Sequence, residues 1–495
     1  MAETSPQRVY RAACPGCGAP VEFRSAQSTH AVCTYCRSTV VRDGDTLSRL
    51  GRMAELFDDH SPLQLMASGR WGDKAFTLVG RLQYRSSSGT WTEWNALFDD
   101  GSTAVLAEDN GAYVFARYET VQRDLPPASA LRVGRTTAIG GATFSVASNE
   151  QGALISAQGE LPKLPPVGSP FAMVELRSAQ GEVLSIDYGT VPPVVTRGHA
   201  VQLDALAMSG LREENVKAEG ARHFSCPNCG APVGVLLDTS KSVTCPSCNG
   251  VIDVSKGIGG ELLHAMQHEP VQPLIPLGST GQLQGVRWQV VGFQHRMGTE
   301  PGDDDEQFGW SEYLLYQRKR GFVFLVDSED GWSLVKPVTG APTLSAGGNS
   351  AKYLGTSYQL LYAYNAETTY VAGEFYWPVE RGHKSFNRDF ASGASLLSME
   401  ETPREITWSL GTKIGSDTVA KAFGLEGKKN QLARSDASPV SMGAGGLGCM
   451  TIIVIVVVIV LLLVLMRACT SGGGGGAWRS TGGSYGGYSS GGGHK

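Results

Sequence analysis

Ten cysteines occur in this chain of 495 residues, and eight of them fall into two quartets of identical spacing. Cys14, Cys17, Cys33 and Cys36 form the first; Cys226, Cys229, Cys245 and Cys248 form the second. Both read C-x2-C-x15-C-x2-C, and both open with Cys-Pro-x-Cys-Gly-Ala-Pro-Val. A C-x2-C knuckle lets two thiolates reach one metal, and a second knuckle across a hairpin completes a tetrahedral site. Gly18 and Gly230 follow each leading knuckle, where a tight turn favours glycine. Four thiolates leave no open coordination position, so the two ions are expected to be structural. Metal binding of roughly 10–16 kcal/mol would fold a ribbon that has almost no core of its own. Zinc is the favoured ion; the alternatives are iron bound as in rubredoxin, or disulfides, which a reducing compartment disfavours.

Other constellations are weaker. His264 and His268 are four apart, but no third ligand stands beside them and the first half of the chain has no such pair. Residues 300–306 carry five carboxylates without the glycine spacing of a calcium loop, as a solvated hairpin tip would. Glu93 and Glu312 each follow a Trp-Thr/Ser step, and Glu160 and Glu374 each follow a glycine. Paired carboxylates can perform acid–base work, but no nucleophile, phosphate loop, G-x-S-x-G or HExxH accompanies them. Their expected use is structural, fixing a strand end or a buried backbone amide. No catalytic residue is assigned, and the chain is not expected to be an enzyme.

These residues sit in a duplication. The quartets are 212 residues apart, and the same offset relates Phe76-Thr77-Leu78-Val79-Gly80 to Trp288-Gln289-Val290-Val291-Gly292. Trp91-Thr92-Glu93-Trp94 matches Trp310-Ser311-Glu312-Tyr313, the extra residues falling in the acidic loop. Ala157-Gln158-Gly159-Glu160-Leu161 matches Val371-Ala372-Gly373-Glu374-Phe375. Short runs of Val, Phe, Tyr, Trp and Leu alternate with polar residues between Gly, Asp, Asn and Ser. The fold class is therefore mainly β. Two four-cysteine ribbons, 8–44 and 220–256, are each followed by a small antiparallel barrel or sandwich of six to nine strands, 60–207 and 270–420. Short helices are expected at 46–58, 260–268 and 206–219.

The C-terminal part differs. Residues 447–466 carry no charge and, as a helix, span about 30 Å, a bilayer core. Residues 425–446 read as a flexible linker. Twelve glycines in 472–495 make the tail 467–495 a segment without a core. No apolar leader appears in residues 1–10, and thiolate metal sites need a reducing compartment. The expected topology is a single-pass membrane protein with its bulk in the cytoplasm and the tail on the opposite side. The net charge of −5, and a surplus of only two positive charges in the first ribbon, argue against nucleic acid as a partner.

The order of parts resembles bacterial zinc-ribbon proteins with tandem β-rich domains of unknown function and a C-terminal membrane anchor. The resemblance is carried by the ribbons, Val79-Gly80 and Val291-Gly292, the two Trp-Thr/Ser-Glu steps, and Gly373-Glu374-Phe375-Tyr376-Trp377. Copy one departs at Gly159-Glu160-Leu161-Pro162, which lacks the aromatic pair. Such proteins tend to be encoded beside polyamine-synthase-like and membrane-stress genes, which implies a membrane-associated accessory role. The leading expectation is a non-catalytic scaffold or adaptor with the lipid bilayer and a protein as partners. A β domain that binds or processes a small cation such as a polyamine is the first alternative. Nucleic-acid binding through the ribbons is the second. Copy two, with Trp310, Glu312, Glu374 and Trp377, is expected to carry the recognition surface, because aromatics with a few charges make binding hot spots.

Overall fold

The computed structural model describes residues 10–434, apart from 26, 44–45, 53–60, 87–88, 110, 122–124, 213–221, 238–239, 255–263, 266, 268–270, 302, 319 and 404. The expected span 447–466 and tail 467–495 lie outside the described residues. No described helix is long and apolar enough to cross a membrane.

Each copy closes into an antiparallel barrel of eight strands. In copy one these are β1 (Lys74–Arg85), β2 (Thr90–Phe98), β3 (Thr103–Asp109), β4 (Ala112–Tyr118), β5 (Ala142–Leu161), β6 (Phe171–Arg177), β7 (Glu182–Asp187) and β8 (Val194–Val201). Their spatial order is β1-β2-β3-β4-β8-β7-β6-β5, and β5 returns to pair with β1. Copy two repeats the pattern with β9 (Val286–Glu300), β10 (Asp303–Gln317), β11 (Gly321–Ser328), β12 (Gly331–Val338), β13 (Thr356–Phe375), β14 (Lys384–Ser392), β15 (Ser395–Glu401) and β16 (Ile406–Ile414). Here β13 closes on β9. Closure removes the exposed sheet edges that a sandwich would have to protect. The acidic segment forms the β9–β10 hairpin tip, where Glu300 pairs with Asp303.

The longest strands, β5 and β13, cover 20 residues each because they serve several partners. Register shifts at Val146/Ser148 and Leu154/Ser156 bend β5 so that one end pairs with β6 and the other with β1. Its last residues, Gly159–Leu161, then pair with the ribbon strand His30–Val32. In copy two, Glu374 and Phe375 pair with the ribbon strand Ser242–Thr244. Each ribbon is thus an extension of its barrel sheet. The repeated glycines mark this crossing: a Cβ on Gly80 would lie 1.9 Å from Glu160 O, and one on Gly292 would lie 2.6 Å from Glu374 O. Only glycine lets the two backbones approach this closely.

The helices expected after each ribbon are corrected. Thr46–Arg52 is a strand paired with Ser38–Asp43, and His264–Ala265 is a short strand paired with Val251–Asp253. Leu47, Leu50, Leu262 and Leu263 suggested helical spacing, but pairing with the ribbon hairpin satisfies more backbone than an isolated turn would. At 206–219 the described part is a 3₁₀ turn, Leu203–Leu206, followed by irregular chain to residue 212. The linker is corrected in its first ten residues. Helix Ser416–Ala422 and the short helix Lys429–Leu432 pack on the outside of barrel two, with Val419, Ala420 and Leu432 buried against Trp288, Phe293 and Trp332. Trp332 Nε1 donates to Leu432 O at 2.8 Å, and Arg434 donates to both oxygens of Asp327 at 2.6 Å. Barrel two therefore extends to Arg434.

Candidate metal centres and barrel interiors

The knuckles place their sulfurs by backbone geometry. Gly18 and Arg37 donate their N–H groups to Cys14 O and Cys33 O, both from the left-handed region at φ 76° and 55°. Gly230 and Asn249 do the same in the second ribbon, at φ 74° and 57°. Cys14 and Cys36 Sγ lie 3.7 Å apart, as do Cys17 and Cys33; the second quartet gives 3.8 and 3.7 Å. A tetrahedron with metal–sulfur bonds of ~2.3 Å has edges of about 3.8 Å, whereas a disulfide bond is ~2.05 Å. Within each quartet all four Sγ atoms lie within 4.8 Å of one another. Hydrogen bonds from the Ser38 side chain and backbone hold the Cys36 thiol below its usual range, and Asn228 and the Gly250 N–H do the same for Cys248, while Cys17 and Cys229 of the same quartets are pushed up. Both quartets are compatible with zinc.

The paired glutamates join ribbon to barrel. Glu160 Oε2 accepts the N–H groups of Arg24 (2.6 Å) and Ser25 (3.0 Å). Glu374 accepts Leu236 N–H (2.7 Å), Leu237 N–H (2.9 Å) and the Ser240 hydroxyl (2.6 Å). Both carboxylates are buried, at 6% exposure. They hold ribbon amides that have no strand partner, the structural use anticipated for them.

The surface expected on copy two does not form. Trp310, Glu312, Glu374 and Trp377 are all buried, and of the four only Trp377 lines the small void beside Arg296. Trp310 and Trp377 fill barrel two together with Phe308, Phe324, Phe375 and Tyr376. These aromatics read as a binding patch in sequence because aromatics with a few charges make up a core face as readily as a recognition face.

Glu312 lies instead in a buried charged network. It accepts Trp310 Nε1 (2.6 Å) and Gln294 Nε2 (2.5 Å), and Arg296 Nη1 lies 3.8 Å away. Arg296, 2% exposed, donates to Glu400 (2.9 Å) and Ser385 (2.7 Å). Burial opposes its charge, but Glu400 and Glu312 hold it protonated. Asp389 accepts Tyr364 OH at 2.8 Å and the Ser398 hydroxyl; burial pushes its carboxyl up to about 7 against those bonds. The void beside this network is about 10 Å³, room for one water.

Barrel one is hollow. A cavity of about 200 Å³ runs through it, lined by Trp91, Glu93, Glu150, Met173, Glu175 and Arg177. The strand registers give the reason: Gly89, Val105 and Ala107 occupy the positions of Phe308, Phe324 and Val326 in copy two. Glu93 is half-buried and lines this cavity. Burial, reinforced by the charge of Asp187, pushes its carboxyl up to about 7. Arg177 is ion-paired with Glu175, and its Nε is buried without a hydrogen-bond partner among the described residues. Burial lowers its guanidinium to about 10.

Arg177 also lines a second cavity, of about 820 Å³, between the two copies, with Phe144, Lys336, Tyr376, Glu405 and Trp408. Barrel one meets barrel two at Gly111, where a Cβ would lie 2.3 Å from Gly321 Cα. Ala341 N–H donating to Ser178 O at 3.1 Å, and Arg320 pairing with Asp204 at 2.9 Å, hold the same junction. Asp109, Ala112 and Arg177 border both cavities. The sequence reading missed this region; extending the 212-residue offset from the matched β1/β9 block to Tyr84 and Arg296 would have exposed the contrast.

No curated protein and no solved structure matches the chain. The family model described as Domain of unknown function (DUF4178) matches residues 65–203 and 276–416. One match falls on each barrel, together they cover more than half of the 495 residues, and the chain belongs to this family as a tandem member.

Proposed function

We propose that this chain is a non-catalytic, membrane-anchored adaptor. Two zinc-stiffened barrels would sit on the cytoplasmic face, held by a span at 447–466 with the tail 467–495 on the opposite side. The observation that carries this reading is the fusion of each ribbon with its barrel through sheet pairing and a buried glutamate cap. A closed four-thiolate site on such a rigid unit supports a shape that partners recognise and supplies no reacting group. Zinc is preferred to iron because the sites need no redox role. Nucleic acid is disfavoured because the first ribbon's cations are engaged within it. Arg11 and Arg24 pair with Glu22, and Arg42 lies over the Tyr10 and Phe23 rings. The resemblance noted above favours a membrane-stress or polyamine-linked setting. Affinity purification of the tagged full chain from detergent-solubilised membranes tests the reading. A protein retained after nuclease treatment is expected; retention only of nucleic acid refutes it.

A second reading, a β domain that binds a small cation, is favoured by one feature: the hollow interior of barrel one carries more carboxylates than cations. On this reading the site would lie in copy one and not in copy two, where the sequence suggested it.

A further inference from the structure

The two barrels place equivalent carboxylates at equivalent register positions but treat them differently. Glu93 faces Leu82 across β1 and β2, as Glu312 faces Gln294 across β9 and β10. Asp187 faces Met173 across β6 and β7, as Glu400 faces Asn387 across β14 and β15. In copy two this carboxylate pair holds a guanidinium that the chain itself supplies, Arg296, 3.8 Å from Glu312 and 2.9 Å from Glu400. Arg296 faces Trp310, and the matching residue facing Trp91 is Tyr84. Copy one therefore keeps the carboxylates, has Tyr84 in place of the arginine between them, and has a cavity of about 200 Å³ where the void beside the network of copy two is about 10 Å³.

We propose that the interior of barrel one is a binding site for an exogenous organic cation, an amine or guanidinium on a short apolar stem, held by Glu93, with Asp187 as the supporting charge, as Arg296 is held by Glu312 and Glu400. This rests on the small-cation reading above and gives it a location. Among the described residues Glu93 accepts only a long bond, 3.4 Å, from Trp91 Nε1. Asp187, whose charge acts on Glu93 from outside the cavity lining, is engaged by Gly189 N–H at 2.6 Å and by the charge of Lys163, so the acceptor capacity open to the cavity is that of Glu93. The cavity holds about six waters at ~30 Å³ each, space for a cationic head and a few methylenes. Trp91, stacked on Tyr84 with ring centroids 5.2 Å apart, offers an aromatic wall against which a cation is favoured. The larger cavity between the copies borders this one and supplies a route inward.

Isothermal titration of the detergent-solubilised full chain with n-butylguanidine, n-butylamine and n-butanol tests the assignment. One saturable site per chain is expected for the two cations and none for the alcohol. Glu93→Gln, which keeps the shape and removes the charge, should weaken binding at least about tenfold, the usual order for losing one charged hydrogen-bond partner. Tyr84→Arg, which installs the internal cation of copy two, should abolish it. Retention of two metal ions per chain and an unchanged near-ultraviolet dichroism would show that each variant is folded. Saturable binding that persists unchanged in both variants leaves the small-cation reading standing and overturns this location. Absence of saturable binding by either cation overturns both.

Discussion

Replacing Glu374 with alanine tests how firmly a ribbon is joined to its barrel. The carboxylate accepts two backbone N–H groups and one hydroxyl at 2.6–2.9 Å, at a site only 6% exposed. Alanine removes the charged acceptor of the part-buried Leu236 and Leu237 amides, and each such loss costs about 1–3 kcal/mol. The Ser240 hydroxyl can rotate to another partner and is expected to add little. The sum is about 2–6 kcal/mol, concentrated on local separation of ribbon two from β13. Local opening should rise by at least about 30-fold, since ~1.4 kcal/mol is a factor of ten. Hydrogen exchange reads this directly: protection of the Leu236 and Leu237 amides should fall by that factor, while Arg24 and Ser25 in ribbon one stay protected. Release of one of the two metal ions to a competing chelator should quicken, and Glu160→Ala should reverse which ribbon responds. Unchanged protection at both amides in Glu374→Ala would refute the claim that this carboxylate joins the two units.

Metal analysis of the purified chain should give close to two zinc per chain, and removal of the metal should unfold both ribbons as seen by loss of amide protection. Replacing Arg296 with methionine removes the cation that Glu312 and Glu400 share and should destabilise barrel two by ~3–5 kcal/mol in urea unfolding, more than removal of an exposed arginine such as Arg381. Truncation before residue 445 should release the chain from membranes, and protease added outside the cell should leave the ribbons uncut. Glu93 and Asp389 both titrate near 7 in the folded chain, against 4.5 and 3.8 ordinarily, through burial. Between those limits the folded state binds more protons than the unfolded one, so stability should fall as pH rises from about 4 to about 7 and then level off. Glu93→Gln should remove part of that slope and stabilise the chain above pH 7.

The cysteine spacing, the duplication and the β character were legible because each is local. A knuckle is defined within four residues, and a strand by alternation over five to ten. The structural use of Glu160 and Glu374 was legible in part: a glutamate after a glycine in both copies, with no catalytic partner, suggested it, while Glu374 was also placed on the expected recognition surface. Legibility failed where partners are distant in sequence. Residues 46–52 and 264–265 were read as helical because the hairpin strands they pair with are invisible to a local pattern. Trp310 and Trp377 were read as a recognition surface because aromatics with nearby charges are the makings of a hot spot, and composition does not say whether a side chain points inward or out. That direction is decided by closure, when β13 returns to β9 across about 80 residues and turns one face into an interior. Closure also decides that three modest differences, Gly89, Val105 and Ala107 against Phe308, Phe324 and Val326, fall on one space and leave barrel one hollow. Volume and electrostatic pairing are properties of side chains converging from several strands. The chain encodes them, but they become definite only when the barrel closes.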